Sequence, residues 1–275
     1  AFLFLVPFLM GKPLWSIKLG NWTLWLIAGG TLIFWMSGFI THYAPLYTLY
    51  WPLPVDFTQF SVIGGTFFIT GIALVMLGTV FFVINIYKTI TFTPDGWDKQ
   101  PKGALLKSAL GMTAVANLFR SKKKEQLVSL PVAAIAQGTV DVAFNAAIIL
   151  FTGVLILVYM VSALFGVDLK STAVDALLYK NWFWWGLDLV ADGLVLIFVA
   201  GTWYLLATLI TGKKLYMEKV ARIALLVELV VSWTVWSHHL LSDQAQPGYL
   251  KVVSGELVTA FELITQGLAF FITLT

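Results

Sequence analysis

The 275-residue sequence has no cysteine, only three histidines, and charges on just 11% of its residues. Each shortage excludes something. Without a thiol there is no thiolate metal site, iron–sulfur cluster, cysteine-built copper centre or cysteine nucleophile within the chain. The same absence is silent about redox compartment. A soluble domain carries about 25% charged residues. A chain with less than half that share, and 59% hydrophobic residues, is built for a bilayer. The alternating segments of ~10 residues that mark a membrane barrel are also missing.

What is present is a succession of apolar runs, each of the ~20 residues that cross a bilayer as a helix. The expected fold is all-α: a polytopic transmembrane helical bundle of about six complete spans plus a partial N-terminal one. The spans are expected at 21–40, 61–87, within 130–165, and at 181–210, 223–236 and 251–275, with the partial one at 1–10. Residues 1–275 are expected to form a single transmembrane domain. Both ends fall inside apolar runs, so the chain is expected to be a fragment or part of a split subunit. Glycines Gly29, Gly30 and Gly38 in the first span, and Gly64, Gly65, Gly71 and Gly78 in the second, are expected at close helix contacts. Residues 42–60 are rich in aromatics and proline and are expected to lie on the membrane surface, with His42 solvated there.

Lysine and arginine concentrate in 88–126 and 211–222, which the positive-inside rule places in the cytoplasm. The run 121–125 reads as an anchor touching anionic lipid, not a nucleic-acid site. The alternation closes without conflict and puts residues 238 and 239 toward the outer face. Twelve tryptophans and nine tyrosines suit interfacial belts.

Two of the three histidines are adjacent, in Val235-Trp236-Ser237-His238-His239. Histidine is the commonest metal ligand, and ionisable groups at membrane depth are functional candidates. The alternative is an interfacial pair whose imidazoles reach headgroups and water. Successive helical residues point ~100° apart, so two neighbours share a metal only where the helix distorts or ends. Pro247-Gly248 allows such an end. Asp188 is the candidate to complete a two-histidine, one-carboxylate set of the kind that suits non-haem iron. It reads equally as a buried acid paired with a neighbour, and an empty site is a third possibility.

Asp141, Asp192, Glu228, Glu256 and Glu262 are the other acids at membrane depth, expected to face the bundle interior. Asp188 and Asp192 share one helix face, as a relay of protons needs. Asp192 could instead bond to Thr202 or Ser232. Glu262, Thr265 and Gln266 lie along one face and form a candidate proton path, to which Asp141 and Glu228 also belong. Glu256 sits nearer the external end.

The order of features resembles the catalytic subunit I of the haem–copper oxygen reductase superfamily. Residues 4–11, Phe-Leu-Val-Pro-Phe-Leu-Met-Gly, resemble the end of that family's third helix. Leu19-Gly20-Asn21-Trp22 before Gly29-Gly30 resembles the start of the fourth. Tyr47-Thr48-Leu49-Tyr50-Trp51-Pro52-Leu53 is similar to its aromatic GWTxYPPL loop, and the run ending 83–90 fits the helix after it. Val235-Trp236-Ser237-His238-His239 looks like the VWxHH whose histidines bind copper. The resemblance spans nearly the whole chain, but only the third to eighth helices of the family subunit.

There are departures. In the register set by Trp184-Trp185-Gly186, the family's GHPEVY would put histidine, glutamate and tyrosine at Leu187, Leu189 and Ala191. All three side chains are missing. A second register, similar to the nitric oxide reductase motif HLWVEG, puts Asp188 and Asp192 at its histidine and glutamate. Pro247-Gly248-Tyr249 and Phe261-Glu262 also look like that branch. Neither register supplies a third histidine. The conducting lysine of some members is not seen, Ala269 lying near its place.

The resemblance implies a respiratory terminal oxidase. It would reduce oxygen to water at a haem–copper centre, with electrons from a quinol or a small redox protein and proton uptake from inside. Copper at His238/His239, with iron possible, would be flanked by Trp236 as a cofactor-binding residue. Asp188, Asp192 and Glu262 would be catalytic. The haems' axial ligands belong to helices outside this chain. Implied partners are other subunits of a respiratory complex and lipid, in a prokaryotic plasma membrane. A nitric oxide reductase-like enzyme and a non-catalytic scaffold remain as alternatives.

Overall fold

The computed structural model describes residues 1–45, 49–97, 99, 101–243 and 245–275, with backbone alone at 196–198. Among these residues there is no strand. Helix α1 (Phe2–Met10) stops at Gly11, whose positive φ of 64° is open to glycine at little cost. Helix α2 (Ile17–Thr41) is capped by Ser16, which accepts from the Leu19 amide, and α3 (Val62–Thr91) by Ser61, which accepts from Gly64. The two long helices pack against each other along their length. A Cβ on Gly71 would sit 2.4 Å from the Phe34 backbone nitrogen, and one on Gly30 2.7 Å from the Gly71 carbonyl. Gly64, Gly65 and Gly78 are equally hemmed in, whereas Gly29 has nothing within 4 Å and Gly38 makes ordinary contacts.

Residues 88–126 are more structured than a polar loop. Short helices α4 (Lys102–Ala109) and α5 (Met112–Ala116) fold back beneath the bundle. The buried Ser108 hydroxyl accepts from the Leu127 amide at 2.9 Å. Lys12 is tied in nearby, donating to the carbonyls of Ile90 and Phe92 at 2.7 and 3.0 Å. Burial pushes its pKa down to about 8.

Helix α6 (Leu130–Leu164) is the hub, touching α3, α7 (Ala176–Leu194), α8 (Gly201–Thr211) and α9 (Glu218–Ser232). Its Asn145 amide donates to the Gly186 carbonyl at 2.5 Å, fixing α7 against it. The expected surface loop 42–60 turns out to be core in part. Tyr43, Trp51 and Val55 are buried, and Trp51 meets Tyr159 edge-to-face at 4.9 Å while donating to the Ser171 carbonyl. Aromatic rings carry a large apolar area with one polar tip, so a buried tip that finds a carbonyl lets the ring go inside. His42 is exposed, as expected. Tyr47 and Thr48 lie outside the described residues.

Among the described residues, four helices are long and apolar enough to cross a membrane: α2, α3, α6 and the continuous Gly248–Leu274. The last comprises α10 (Gly248–Lys251), a wide π turn (Val252–Leu257) and α11 (Val258–Leu274). The expected span 181–210 is α7 and α8 joined by a second π turn, Val195–Ala200. The expected span 223–236 is α9, which is 15 residues long and stops at Ser232. Trp233-Thr234-Val235-Trp236 is a run of β-branched and aromatic residues, weak at continuing a helix.

Candidate active site

Because α9 ends early, His238 and His239 sit in a tight turn, His238–Leu240, and not on a helix face. Their rings stand at 89° with centroids 5.4 Å apart. His239 Nε2 lies 2.6 Å from Asp188 Oδ1; the imidazole is 45% exposed and the carboxyl 10%. The Trp184 indole stacks on the other side of His239, centroids 4.2 Å apart and planes within 28°. Trp184 Nε1 in turn donates to the Tyr50 hydroxyl at 2.8 Å. His238 Nδ1 meets the Ser254 carbonyl at 2.7 Å, so that nitrogen carries the hydrogen. The π turn Val252–Leu257 places that carbonyl, in keeping with the frequent use of such turns at functional sites.

Direction separates the two sequence registers. Leu187 faces the apolar side of α7, lining a cavity with Phe34, Phe68 and Phe183. Asp188, one residue on, faces His239. Trp236 packs away from the imidazoles among other indoles, 5.0 Å from Trp185 and 5.7 Å from Trp182.

The remaining acids gather on the same side of the bundle. Asp192 lies within electrostatic reach of Glu262, Asp141, Glu228 and Asp188, which come from α11, α6, α9 and α7. Glu262, half-buried, is within reach of both histidines. Asp141 is fully buried, and its Oδ1 accepts from Ser232 Oγ and Trp233 Nε1, each at 3.1 Å. Ser232 therefore serves Asp141, not Asp192. The Thr265 hydroxyl donates to Glu228 Oε2, and Gln266 stands beside that carboxyl. Asp141 Oδ2, Asp188 Oδ2, Asp192 Oδ2 and Glu228 Oε1 are buried with no hydrogen-bond partner. Glu256 is exposed. The sequence marked Trp184 and Tyr50 only as parts of family-like motifs, and gave no site role to them, to Trp233 or to the Ser254 carbonyl. Their roles depend on which turn of α7 faces which loop.

The family model of cytochrome c and quinol oxidase polypeptide I matches residues 1–275. The chain belongs to this family. A comparison with curated proteins finds no match. Members of the cytochrome c and quinol oxidase family are membrane oxidoreductases that generally bind haem and copper and work within multi-subunit complexes.

Do the residues present suit such a metal? Among the described residues no three histidine, aspartate or glutamate side chains converge on one point. Asp188 Oδ1 already occupies His239 Nε2, and the His238 ring is turned across its neighbour. Ligands must close to ~2 Å around one ion. In this arrangement the trio does not fit a metal. It is an aspartate–histidine contact with a second imidazole anchored to the backbone.

What the arrangement does offer is proton chemistry. Several buried carboxyls with free oxygens, from α6, α7 and α9, lie on the same side of the bundle as two imidazoles, one of them half-exposed. Such groups accept and release protons at the expense of their neighbours.

Proposed function

We propose that the chain is the proton-delivering core of a respiratory terminal oxidase subunit I. The complex would reduce oxygen to water at a haem–copper centre, taking four electrons and four protons per oxygen. Electrons would come from a quinol, a cytochrome or a cupredoxin. The observation that carries this reading is the gathering of Asp141, Asp188, Asp192, Glu228 and Glu262, of which Asp188 and Glu262 reach His238 and His239, in a chain of this family. Glu228, with Thr265 and Gln266, forms the lower stage of the path. Asp192 is the middle stage, with Asp141 beside it, and Asp188, His239 and Glu262 the upper one. The haems' axial ligands are supplied from outside these residues, together with partner subunits.

The same reading takes residues 1–275 as a single membrane domain of six complete spans. It counts α7–α8 and α9 as spans, sets 88–126 and 211–222 in the cytoplasm, and turns His238 and His239 to the outer face of a prokaryotic plasma membrane. Copper or iron at His238 and His239 would require the Asp188–His239 contact to open.

The experiment is a visible spectrum and metal analysis of the purified complex, with turnover of oxygen and of nitric oxide. Haem with copper and faster oxygen turnover supports the oxidase. Haem with iron and faster nitric oxide turnover supports a nitric oxide reductase-like enzyme, the reading favoured by Asp188, not Leu187, facing the histidines. Neither haem nor metal would leave a non-catalytic scaffold.

A further inference from the structure

Where α9 gives way, two consecutive residues are tied to a single atom of α6. Ser232 is the last residue of α9 and Trp233 the first beyond it. Asp141 Oδ1 accepts from Ser232 Oγ and from Trp233 Nε1, each at 3.1 Å. Asp141 has little room to move. It is fully buried on the central helix α6, and a Cβ added to Gly193 of α7 would come within 3.3 Å of the Asp141 Cβ. Phe144, one turn further along α6, meets the Trp233 ring at 5.2 Å and holds the indole from the same side. A succession of tight turns then leads to the histidines. The Val235 amide donates to the Ser232 carbonyl at 3.4 Å, and the His238 amide to the Val235 carbonyl at 2.9 Å. Val235 between them is buried in one cluster with Val231 and Val258. Turns of three residues leave little slack, so whatever fixes Ser232 and Trp233 also fixes the imidazoles. The weak helix formers from Trp233 onward allow α9 to end, but they do not choose the residue at which it ends.

We propose that Asp141 is the positioning residue of the histidine turn. By holding Ser232 and Trp233 it sets where α9 stops, and so places His238 against the Ser254 carbonyl and His239 against Asp188. A buried donor with no acceptor keeps its desolvation cost, and one oxygen relieves two donors here. The role needs an acceptor oxygen and not an acidic proton. It is therefore separate from the proton path proposed above, and it does not depend on whether the histidine pair holds a metal.

The chain has three histidines, so the intact protein labelled at histidine, in nanodiscs, gives three sets of ring signals by solid-state NMR. His42, exposed in the loop 42–60, is the internal reference. Asp141→Leu removes the acceptor. It is expected to shift the signals of His238 and His239, to leave those of His42, and to speed deuterium exchange at His238 Nδ1 on the order of tenfold. Asp141→Asn keeps the acceptor oxygen without the acidic proton, and should leave all three sets in place. Ser232→Ala combined with Trp233→Phe removes the same two bonds from the donor side. It should reproduce Asp141→Leu, and it carries the test if Asp141→Leu does not fold. Unchanged His238 and His239 signals in the donor-side variant would overturn the proposal. So would Asp141→Asn shifting them as far as the donor-side variant does, which would assign the effect to the acidic proton. Displacement of all three sets in the donor-side variant, marking a general loss of structure, would do the same.

Discussion

Asp188 and His239 meet across the gap between α7 and the turn after α9, with Trp184 closing one side of the imidazole. An aspartate left without its partner in that place keeps its desolvation cost and loses its compensation. His239→Ala is therefore expected to destabilise the protein by about 2 kcal/mol, less than a fully buried pair because the imidazole is half-exposed. Asp188→Leu with His239→Leu should cost less than the two single changes summed, as read from denaturant unfolding in micelles. Full additivity would show that the two side chains do not interact. Asp192 poses a functional question. Its free oxygen stands amid four other carboxyls. Asp192→Asn keeps the shape and removes the exchangeable proton. Quinol-driven oxygen consumption is expected to fall about a hundredfold, with unfolding unchanged. Normal turnover in a stable variant would remove Asp192 from the proton path.

Among the helices, contact distance varies sharply between neighbouring glycines. Gly71 has backbone atoms of Phe34 and Gly30 inside the space a methyl would need, and backbone cannot swing aside. Gly71→Ala is expected to force α2 and α3 apart and cost on the order of 2 kcal/mol or more. Gly29→Ala meets nothing within 4 Å and improves helix propensity, so it should be neutral or stabilising by up to about 1 kcal/mol. Thermal unfolding of the two variants in the same detergent decides it, and equal effects would mean that α2 packs on α3 through some other face. The two π turns are the other feature at this scale. One follows Asp192 by a few residues, and the other sets the Ser254 carbonyl against His238.

For the whole molecule, the lack of native cysteine makes sidedness directly measurable. Lys123→Cys lies in the basic connection before α6, and Asp243→Cys in the segment after the histidines. An impermeant maleimide added to intact cells is expected to label the second and spare the first, with both labelled once the membrane is opened. Labelling of both in intact cells, or of Lys123→Cys alone, would reverse or break the proposed topology.

Much of this molecule was legible from periodicity and composition. Apolar length alone located α2, α3, α6 and the final helix within a few residues, because a bilayer demands ~20 apolar residues and an internally bonded backbone. The adjacent histidines and the acids at membrane depth stood out because such groups are costly there. Tertiary structure decided the rest. Whether His238 and His239 lie on a helix depended on where α9 gives way. Whether residue 187 or 188 faces them depended on the rotation of α7 against α6, fixed by Asn145 on the Gly186 carbonyl. Part of the loop 42–60 went inside, where Trp51 found a carbonyl from residue 171, 120 positions away. Sequence determines which groups are too expensive to leave in lipid, since that cost is a property of each residue. Which partner relieves each of them is a property of packing, settled by contacts between residues far apart in the chain.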